Sequence, residues 1–338
     1  MKIEHVTIDD VSKLAGVSKT TVSRYLNGRF EHMSDITKGK VRRTIEELNF
    51  RPNLTARTLK SKKTNLIGII VTDIANPISA LLIKGAIDEG AREGYQVITA
   101  CSSEIMDSEK NYANAMIDRQ VDGLIVVVVD YNEYSHLERL KDMGAKIVLA
   151  VRTISNPILD MVTTNNYEAT KDAIKTLYNK GFERVAFFSP ELIKSKVRFE
   201  RYNAFLNQSN EHVDDPEELV YLIKSTSNYV AALQDFVTKN PSKHLAAFAP
   251  TPVALLNLLD AVKELGLEIP KDIGICGYDN LPWTNLINGG ISVVEQPFYD
   301  VGVESARLLI KRMNGHAEIV PQYKVLKSKL ILRNSTEI

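Results

Sequence analysis

The sequence predicts an α/β protein in three parts: an N-terminal helix-turn-helix head, a short linker, and a larger two-lobed body with parallel sheets. Charge separates the head from the rest, since residues 1–63 contain 14 Lys and Arg against 7 Asp and Glu, whereas the later residues contain 28 against 35. The hydrophobic pattern also changes, because from Asn65 onward apolar runs alternate with helix-length segments. A basic head on an acidic body favours nucleic-acid contact at one end only.

The composition of the 338-residue chain excludes several other classes of protein. Charged residues make up 25% and hydrophobic residues 44% of the chain, which is typical of a globular protein. The longest apolar run, Leu124–Val129, is far shorter than the roughly 20 residues of a membrane helix, and the first ten residues do not resemble a secretory signal. Cys101 and Cys276 are too few for a disulfide framework or a zinc cluster. We therefore expect a cytoplasmic protein with no membrane contact, no metal and no other cofactor.

The head begins with two short helices joined by a glycine turn. Thr7 followed by Asp10 predicts a helix start, because a hydroxyl cap and an early acid both suit a helix N-terminus. Gly16 can adopt a positive φ and so ends this helix, and Ser18 can cap the next one, which ends at Asn27. A third helix is predicted from Ser34. The apolar positions at helical spacing are Ile8, Val11, Leu14, Val22, Leu26, Val41, Ile45 and Leu48.

The outward side of the second helix distinguishes a DNA-binding head from an ordinary three-helix bundle. It offers Lys19, Thr20, Ser23 and Arg24, which are donors near a helix N-terminus and suit base edges and phosphates in a major groove. Arg24 could form two hydrogen bonds with a guanine edge. These side chains favour the DNA-binding interpretation.

Five motifs of the head occur in the order found in a known family. They are Thr7–Val11, Ala15–Ser18, Thr21–Arg24, Asn27-Gly28 and Arg51–Asn53. In this order they resemble the LacI/GalR (lactose-repressor) family of transcription regulators. The resemblance implies a helix-turn-helix domain, which we place at residues 1–52. The resemblance implies a double-stranded DNA operator as partner. It also implies these DNA-binding residues in the head: Thr7, Ser18, Lys19, Thr20, Thr21, Ser23, Arg24 and Asn27.

Residues 53–63 form the predicted linker. The simplest interpretation is a solvated connector, because so short a segment cannot hold a helix alone in water. The resemblance instead implies a hinge helix that orders on the operator, with Leu59 inserted in the minor groove, where such a wedge can unstack a base step. Its implied DNA-binding residues are Asn53, Ala56, Arg57 and Leu59.

The body, residues 64–338, is predicted to form two lobes around a ligand cleft. Apolar runs separated by helices indicate parallel sheets, whose ligands lie at the carboxyl ends of the strands. The resemblance extends over the body and implies a periplasmic-binding-protein-like fold, in which the chain crosses between lobes near residues 163, 292 and 323. The first lobe would contain residues 64–163 and 293–322, and the second 164–292 and 323–338. The predicted strands are Leu66–Val71, Gln96–Thr99, Gly123–Val129, Lys146–Ala150, Val185–Phe188, Ala246–Ala249 and Ile273–Cys276.

The resemblance places a small-molecule effector in this cleft. Acids that would pair with neutral sugar hydroxyls are replaced at Val151 and Asn165, whereas Arg152 and Arg198 remain. Because guanidinium–carboxylate pairing is strong and directional, we expect an anionic sugar acid such as a keto-deoxy-gluconate. A neutral or phosphorylated sugar is the alternative. The predicted effector-binding residues are Asp73, Ala75, Asn76, Ile78, Arg152, Asn165, Arg198, Asp279 and Gln296.

The sequence favours a regulator over an enzyme or a transport receptor. It contains no P-loop, GxSxG or HExxH motif, so we expect no catalytic residues. A transport receptor would share the body but not the head. We expect a homodimer on a near-palindromic operator, most simply a repressor released by its effector, with a co-repressor mode as the alternative.

Overall fold

The computed structural model describes residues 6–31, 33–50, 63–192, 195–226, 228–315 and 320–338. By its contacts the chain divides into a head up to Thr64 and a body from Asn65 onward. In the described part of the chain, the helices are all too short or too polar to span a bilayer. The helix-turn-helix head and the two-sheet body predicted from the sequence are both confirmed.

The head consists of three helices around a small apolar core. They are α1 (Ile8–Ala15), α2 (Lys19–Leu26) and α3 (Asp35–Glu47), with Thr7, Ser18 and Ser34 as their N-caps. Gly16 has the positive φ that the turn between α1 and α2 requires. Leu14 departs from the predicted inward face and is 54% exposed, because Ala15 lies closer in helical angle to Val11 and takes the core position. The buried apolar side chains are Val11, Ala15, Val22, Val41 and Phe50.

The body alternates strands and helices along the chain. Its strands are β1 (Leu66–Val71), β2 (Gln96–Cys101), β3 (Gly123–Val126), β4 (Ile147–Ala150), β5 (Asp160–Thr164), β6 (Arg184–Pro190), β7 (Val220–Ile223), β8 (Leu245–Ala249), β9 (Gly274–Tyr278), β10 (Ser292–Glu295), β11 (Tyr323–Leu326) and β12 (Lys329–Ile331). Its helices are α4 (Pro77–Arg92), α5 (Met106–Asp118), α6 (Ser135–Asp142), α7 (Asn166–Asn179), α8 (Lys196–Ser209), α9 (Asn228–Lys239), α10 (Pro252–Glu264) and α11 (Phe298–Met313). Short 3-10 turns occupy Pro216–Leu219, Pro282–Asn285 and Asn334–Thr336.

The strands form two six-stranded sheets, one in each lobe. The first has the order β11-β5-β4-β3-β1-β2 with all neighbours parallel. The second has the order β12-β10-β9-β8-β6-β7, in which only the β10–β12 pair is antiparallel. Both sheets are buried between helices, which explains the nearly continuous apolar strands seen in the sequence.

Two of the predicted lobe boundaries are wrong by one strand each. Residues 293–295 belong to β10, which pairs with β9 in the second sheet, so the chain leaves the second lobe after Glu295. Residues 323–326 form β11, which pairs with β5 in the first sheet, so the return follows Leu326. The reason is that each strand keeps its ladder of hydrogen bonds to its last paired residue and changes lobe only afterwards. The first crossing follows Thr164, at the end of β5.

The first lobe is closed by two helices in close contact, α4 and α11. Gly85 on α4 faces the backbone of Tyr299, and Gly302 on α11 faces the backbone of Leu82. A Cβ at either glycine would overlap a carbonyl oxygen of the other helix. These glycines therefore fix the approach of α11, which follows the second crossing, to the helix that begins after β1.

Candidate functional site

The outward side of α2 forms a shallow basic depression of about 390 Å³. Lys19, Thr20 and Arg24 are exposed there, as the sequence predicts for groove-facing residues. Arg29 also lines this depression but was not predicted as a DNA-binding residue. Its basic side chain directly after Asn27-Gly28 could have indicated that role. Its backbone N–H donates to the Arg24 carbonyl at 3.0 Å, which folds it back to the rim of the same depression. The lining residues are Ile8, Lys19, Thr20, Ser23, Arg24, Asn27 and Arg29.

Other predicted DNA-binding residues of the head also hold its helices together. Thr7 forms a capping box with Asp10, and the hydrogen bonds from Thr7 lower the pKa of the Asp10 carboxyl. Ser18 accepts the N–H of Thr21 at 3.1 Å, and the side-chain amide of Asn27 donates to the Ser23 carbonyl at 2.7 Å. These bonds orient α2, so the same polar residues shape the face that Lys19 and Arg24 present.

Lys19 is paired within the head. Its Nζ lies 2.6 Å from Asp9 Oδ2, and the two side chains are 60% and 44% exposed. Such an exposed pair contributes at most about 1 kcal/mol, so a phosphate could replace Asp9 as the partner of Lys19. The predicted hinge residues Asn53, Ala56, Arg57 and Leu59 lie outside the described residues.

In the body, the candidate residues lie at the carboxyl ends of the strands. Two side chains of the loop after β1 stabilise its turn by bonding to nearby backbone N–H groups. Asp73 Oδ1 accepts the N–H of Ala75 at 2.9 Å. Asn76 is the N-cap of α4, and its Oδ1 accepts the N–H of Ile78 at 3.1 Å. Asp73 and Ala75 are exposed, and Asn76 and Ile78 are half-buried.

Arg152 and Arg198, predicted to bind the effector, share one acidic neighbour. The guanidinium of Arg152 donates to both carboxylate oxygens of Glu104, with Nη2–Oε1 at 2.5 Å and Nη1–Oε2 at 2.9 Å. Arg198 donates to the carbonyl of Glu191 at 2.6 Å. Burial, followed by repulsion from Arg152, lowers the pKa of Arg198. Burial alone would raise the pKa of Glu104, but its bonds with Arg152, the charges of Arg152 and Arg198 and a hydrogen bond with Thr72 together lower it.

A second cluster of polar side chains is formed by residues that follow β9 and β10. The side-chain amide of Gln296 donates to Asp279 Oδ1 at 2.7 Å, and both residues are buried. Asp279 has φ of +72°, and its burial raises the pKa of the carboxyl to about 6. Two predicted effector residues are thus directly bonded to each other. Asn165 is different, because its Oδ1 accepts the N–H of Ser328 at 2.7 Å and so holds the third crossing.

Arg201 connects this second group and was not predicted as a site residue. Its guanidinium carbon lies 3.6 Å from the centre of the Tyr278 ring. Arg201 Nη2 donates to Asn166 Oδ1 at 2.7 Å and to Gln296 Oε1 at 2.9 Å, and Nη1 donates to the Pro250 carbonyl. The arginine is 4% exposed, so its donors are satisfied by amide and carbonyl oxygens and its face packs on an aromatic ring, while its charge also acts on the Asp279 carboxyl.

The cleft ends of the two sheets therefore carry the guanidinium groups of Arg152, Arg198 and Arg201 together with the carboxylates of Asp73, Glu104 and Asp279. Glu104 pairs with Arg152 and Asp279 pairs with Gln296. Among the described residues, no group of three or more His, Cys, Asp or Glu side chains could hold a metal ion. The arrangement suits recognition of a small polar or anionic molecule by hydrogen bonding and charge.

Comparisons with known proteins match both parts of the chain. The model of bacterial regulatory proteins, lacI family, matches residues 7–53, and the model of a periplasmic binding protein-like domain matches residues 174–336. The HTH-type transcriptional regulator KdgR of Bacillus subtilis is 33% identical over 335 residues, covering 98% of each chain. Catabolite control protein A of Priestia megaterium is 33% identical over 315 residues, covering 92% of this chain and 93% of its own.

Solved structures give the same fold at lower sequence identity. The lac repressor dimer bound to operator and the anti-inducer ONPF superposes with a TM-score of 0.82 at 21% identity, covering 98% of this chain and 99% of that one. The complex of the transcriptional regulator CelR with cellobiose gives a TM-score of 0.71 at 24% identity, with the same coverage.

Proposed function

Because the chain belongs to the lacI family of bacterial regulatory proteins, we propose that it represses carbohydrate or sugar-acid catabolism genes and is released from DNA by a small-molecule effector. The basic face of α2 supports the DNA-binding part, since Lys19, Arg24 and Arg29 share one exposed depression. Such a protein acts where the chromosome lies, in the cytoplasm. The relatives are regulators, and we assign the chain no catalytic residues.

The effector is an anionic sugar acid, such as a keto-deoxy-gluconate. The observation that carries this choice is the pair Arg152 and Arg198, which share a single carboxylate, Glu104. A ligand carboxylate would bond both guanidinium groups: that of Arg198, whose described bond is to a backbone carbonyl, and that of Arg152, which is paired with Glu104. Asp279 and Gln296 would then receive hydroxyl groups of the same ligand. A neutral sugar is the second candidate, because the structurally similar regulator CelR was solved in complex with cellobiose.

Two exposed apolar surfaces of the body support a homodimer. Leu81 and Ile87 on α4 and Ile98 on the neighbouring β2 are each more than a third exposed. Val253 and Leu256 on α10 form a second such surface. Apolar side chains grouped on a surface mark interaction sites, and a twofold pair of heads suits a near-palindromic operator.

The proposed mechanism is a coupling between the cleft and the spacing of the heads. Effector binding would shift the lobes, separate the paired heads and disorder the hinge, residues 53–63, with Leu59 as its minor-groove wedge. A difference of about 1–3 kcal/mol in effector affinity between the two states changes operator affinity about 5- to 150-fold. The opposite sign, a co-repressor, follows from the same coupling if the effector prefers the DNA-bound state.

The experiment has two parts. Calorimetry of the full chain with 2-keto-3-deoxygluconate, glucose 6-phosphate and glucose identifies the effector class, and tight binding of glucose alone would reject the anionic choice. Deletion of residues 1–62 should abolish DNA retention while effector binding survives, because the body forms its own compact unit. A transport receptor would bind its ligand but would show no head-dependent binding to DNA.

A further inference from the structure

Glu104 places a carboxylate of the protein itself against a guanidinium of the proposed effector site. Its two oxygens accept parallel hydrogen bonds from Arg152, at 2.5 Å and 2.9 Å, which is the fork geometry expected of a bound carboxylate ligand. We propose that Glu104 is an internal substitute for the effector carboxylate, which displaces it from Arg152 when the effector binds. This inference rests on the anionic effector proposed above.

The backbone holds Glu104 in this place. Ser103 and Glu104 have φ of +54° and +59°, two consecutive residues in a left-handed region that residues with a Cβ avoid. The turn is fixed by hydrogen bonds from the Glu104 N–H to the Thr72 carbonyl at 3.2 Å and from the Ile105 N–H to the Ser102 carbonyl at 2.9 Å. Strained conformations of this kind persist at functional sites when the surroundings enforce them.

Exposure shows which partner of the ion pair can move. The Arg152 side chain is 16% exposed, whereas that of Glu104 is 48% exposed. Arg152 also donates to the carbonyl oxygens of Val128 and Val129, at 3.2 Å and 3.4 Å, so it stays in place without Glu104. Glu104 can therefore turn into solvent, giving up its bonds with Arg152 and Thr72, while Arg152 remains as a donor for another carboxylate.

Charge balance explains why the two arginines need a carboxylate of the protein when no effector is bound. Without Glu104, Arg152 and Arg198 would repel each other across a partly desolvated site, a repulsion that already lowers the pKa of Arg198. An anionic effector supplies the replacement charge and can displace the glutamate. A neutral sugar cannot, so Glu104 also makes the cleft selective between charged and uncharged ligands.

The first test is effector affinity in Glu104→Gln, with Glu133→Gln as the matched control. Glu133 is also a glutamate paired with a cation, Lys110, at 2.5 Å. We expect Glu104→Gln to bind 2-keto-3-deoxygluconate and gluconate about ten times more tightly than wild type, a gain of about 1.4 kcal/mol. Glucose affinity should not change, and neither should the control. Unchanged or weaker binding of both acids would overturn the inference.

A second test does not depend on the identity of the effector. Sulfate serves as the oxyanion probe, and thermal unfolding of the full chain is measured in sulfate and in chloride at equal ionic strength. Sulfate should raise the midpoint of Glu104→Gln by more than that of wild type or Glu133→Gln, because the substitution opens the Arg152 fork. Equal shifts in all three proteins would overturn the inference. If the sulfate effect is present but neither sugar acid binds wild type or Glu104→Gln, the choice of a sugar acid is wrong, and the internal substitute stands for an anionic effector of another class.

Discussion

The guanidinium carbon of Arg201 lies 3.6 Å from the centre of the Tyr278 ring, in a part of the body where two lobe crossings meet. Its donors reach Asn166, which follows the first crossing, and Gln296, which lies in the second. Gln296 in turn donates to Asp279, a candidate effector contact. A single buried cation thus connects the cleft to the segments that any movement of the lobes must bend.

Replacing Arg201 with Met should destabilise the body strongly. The apolar stem would still cover Tyr278, but acceptors on Asn166, Pro250 and Gln296 would each lose one donor. Leaving a buried hydrogen-bonding network without one partner costs about 3–5 kcal/mol. Denaturant unfolding of the body measures this loss. Arg119→Met, at the exposed end of α5, serves as the control, and equal unfolding midpoints for the two variants would contradict the role of Arg201.

Asp279→Asn should stabilise the protein at neutral pH. Burial raises the pKa of Asp279 to about 6 from its ordinary 3.8, so the folded state binds this proton more tightly than the unfolded state. The resulting stability is present below pH 3.8 and is lost as the pH rises through 6, a loss of about 3 kcal/mol at pH 7. Asn keeps an acceptor for Gln296 and avoids the buried charge.

The measurement for Asp279 is the unfolding free energy between pH 4 and pH 8. The advantage of Asp279→Asn over wild type should be greatest above pH 6 and should disappear towards pH 4. Asp260→Asn, an exposed acid on α10, should show no such trend. An advantage that is the same at every pH would show that the carboxyl does not titrate as inferred.

Arg198→Ala should weaken binding of the sugar acid without affecting DNA binding. Loss of a desolvated cationic partner costs about 2 kcal/mol or more, which corresponds to about a 30-fold rise in Kd. Calorimetry measures the effector, and fluorescence anisotropy measures binding to DNA. Arg184→Ala is the matched control, because Arg184 lies at the amino end of β6, opposite the cleft end. Equal effects of the two substitutions on sugar-acid binding would reject Arg198 as a ligand contact.

Arg24→Ala should relax sequence preference at one base pair. If Arg24 reads a guanine edge, the substitution costs about 1–3 kcal/mol at that position and little elsewhere. Affinities for a set of single-base operator variants measure this. Arg43→Ala, on α3, should retain the wild-type pattern of preference. A uniform loss over all variants would make Arg24 a phosphate contact instead.

The sequence predicted features that depend on neighbouring residues. Thr7 and Ser18 were identifiable as caps because a cap and its helix lie within a few positions. Seven strands, β1 to β4, β6, β8 and β9, were identifiable because each contains a short apolar run, whereas β5, β7, β10, β11 and β12 were not predicted. Leu14 was misplaced because three- and four-residue spacings differ only in which side of α1 they favour, and packing against α2 and α3 decides between them.

Features that depend on distant parts of the chain were not predicted. Arg201 meets Gln296 over 95 positions, and Glu104 meets Arg152 over 48. No local pattern records such pairs. The lobe boundaries failed for a related reason, since the ends of β10 and β11 are set by their partners in the sheet. The cleft residues Arg152, Arg198, Asp279 and Gln296 came from the family resemblance, and their contact with an effector remains a prediction.

The most direct measurement is the affinity of the full chain for a DNA fragment that it selects from genomic DNA, with and without 2-keto-3-deoxygluconate. We expect the sugar acid to weaken this affinity at least fivefold in wild type and to have no effect in Arg198→Ala at the same concentration. An affinity that is identical with the cleft empty and with it saturated by sugar acid, phosphorylated sugar or neutral sugar would contradict the proposed coupling between cleft and head.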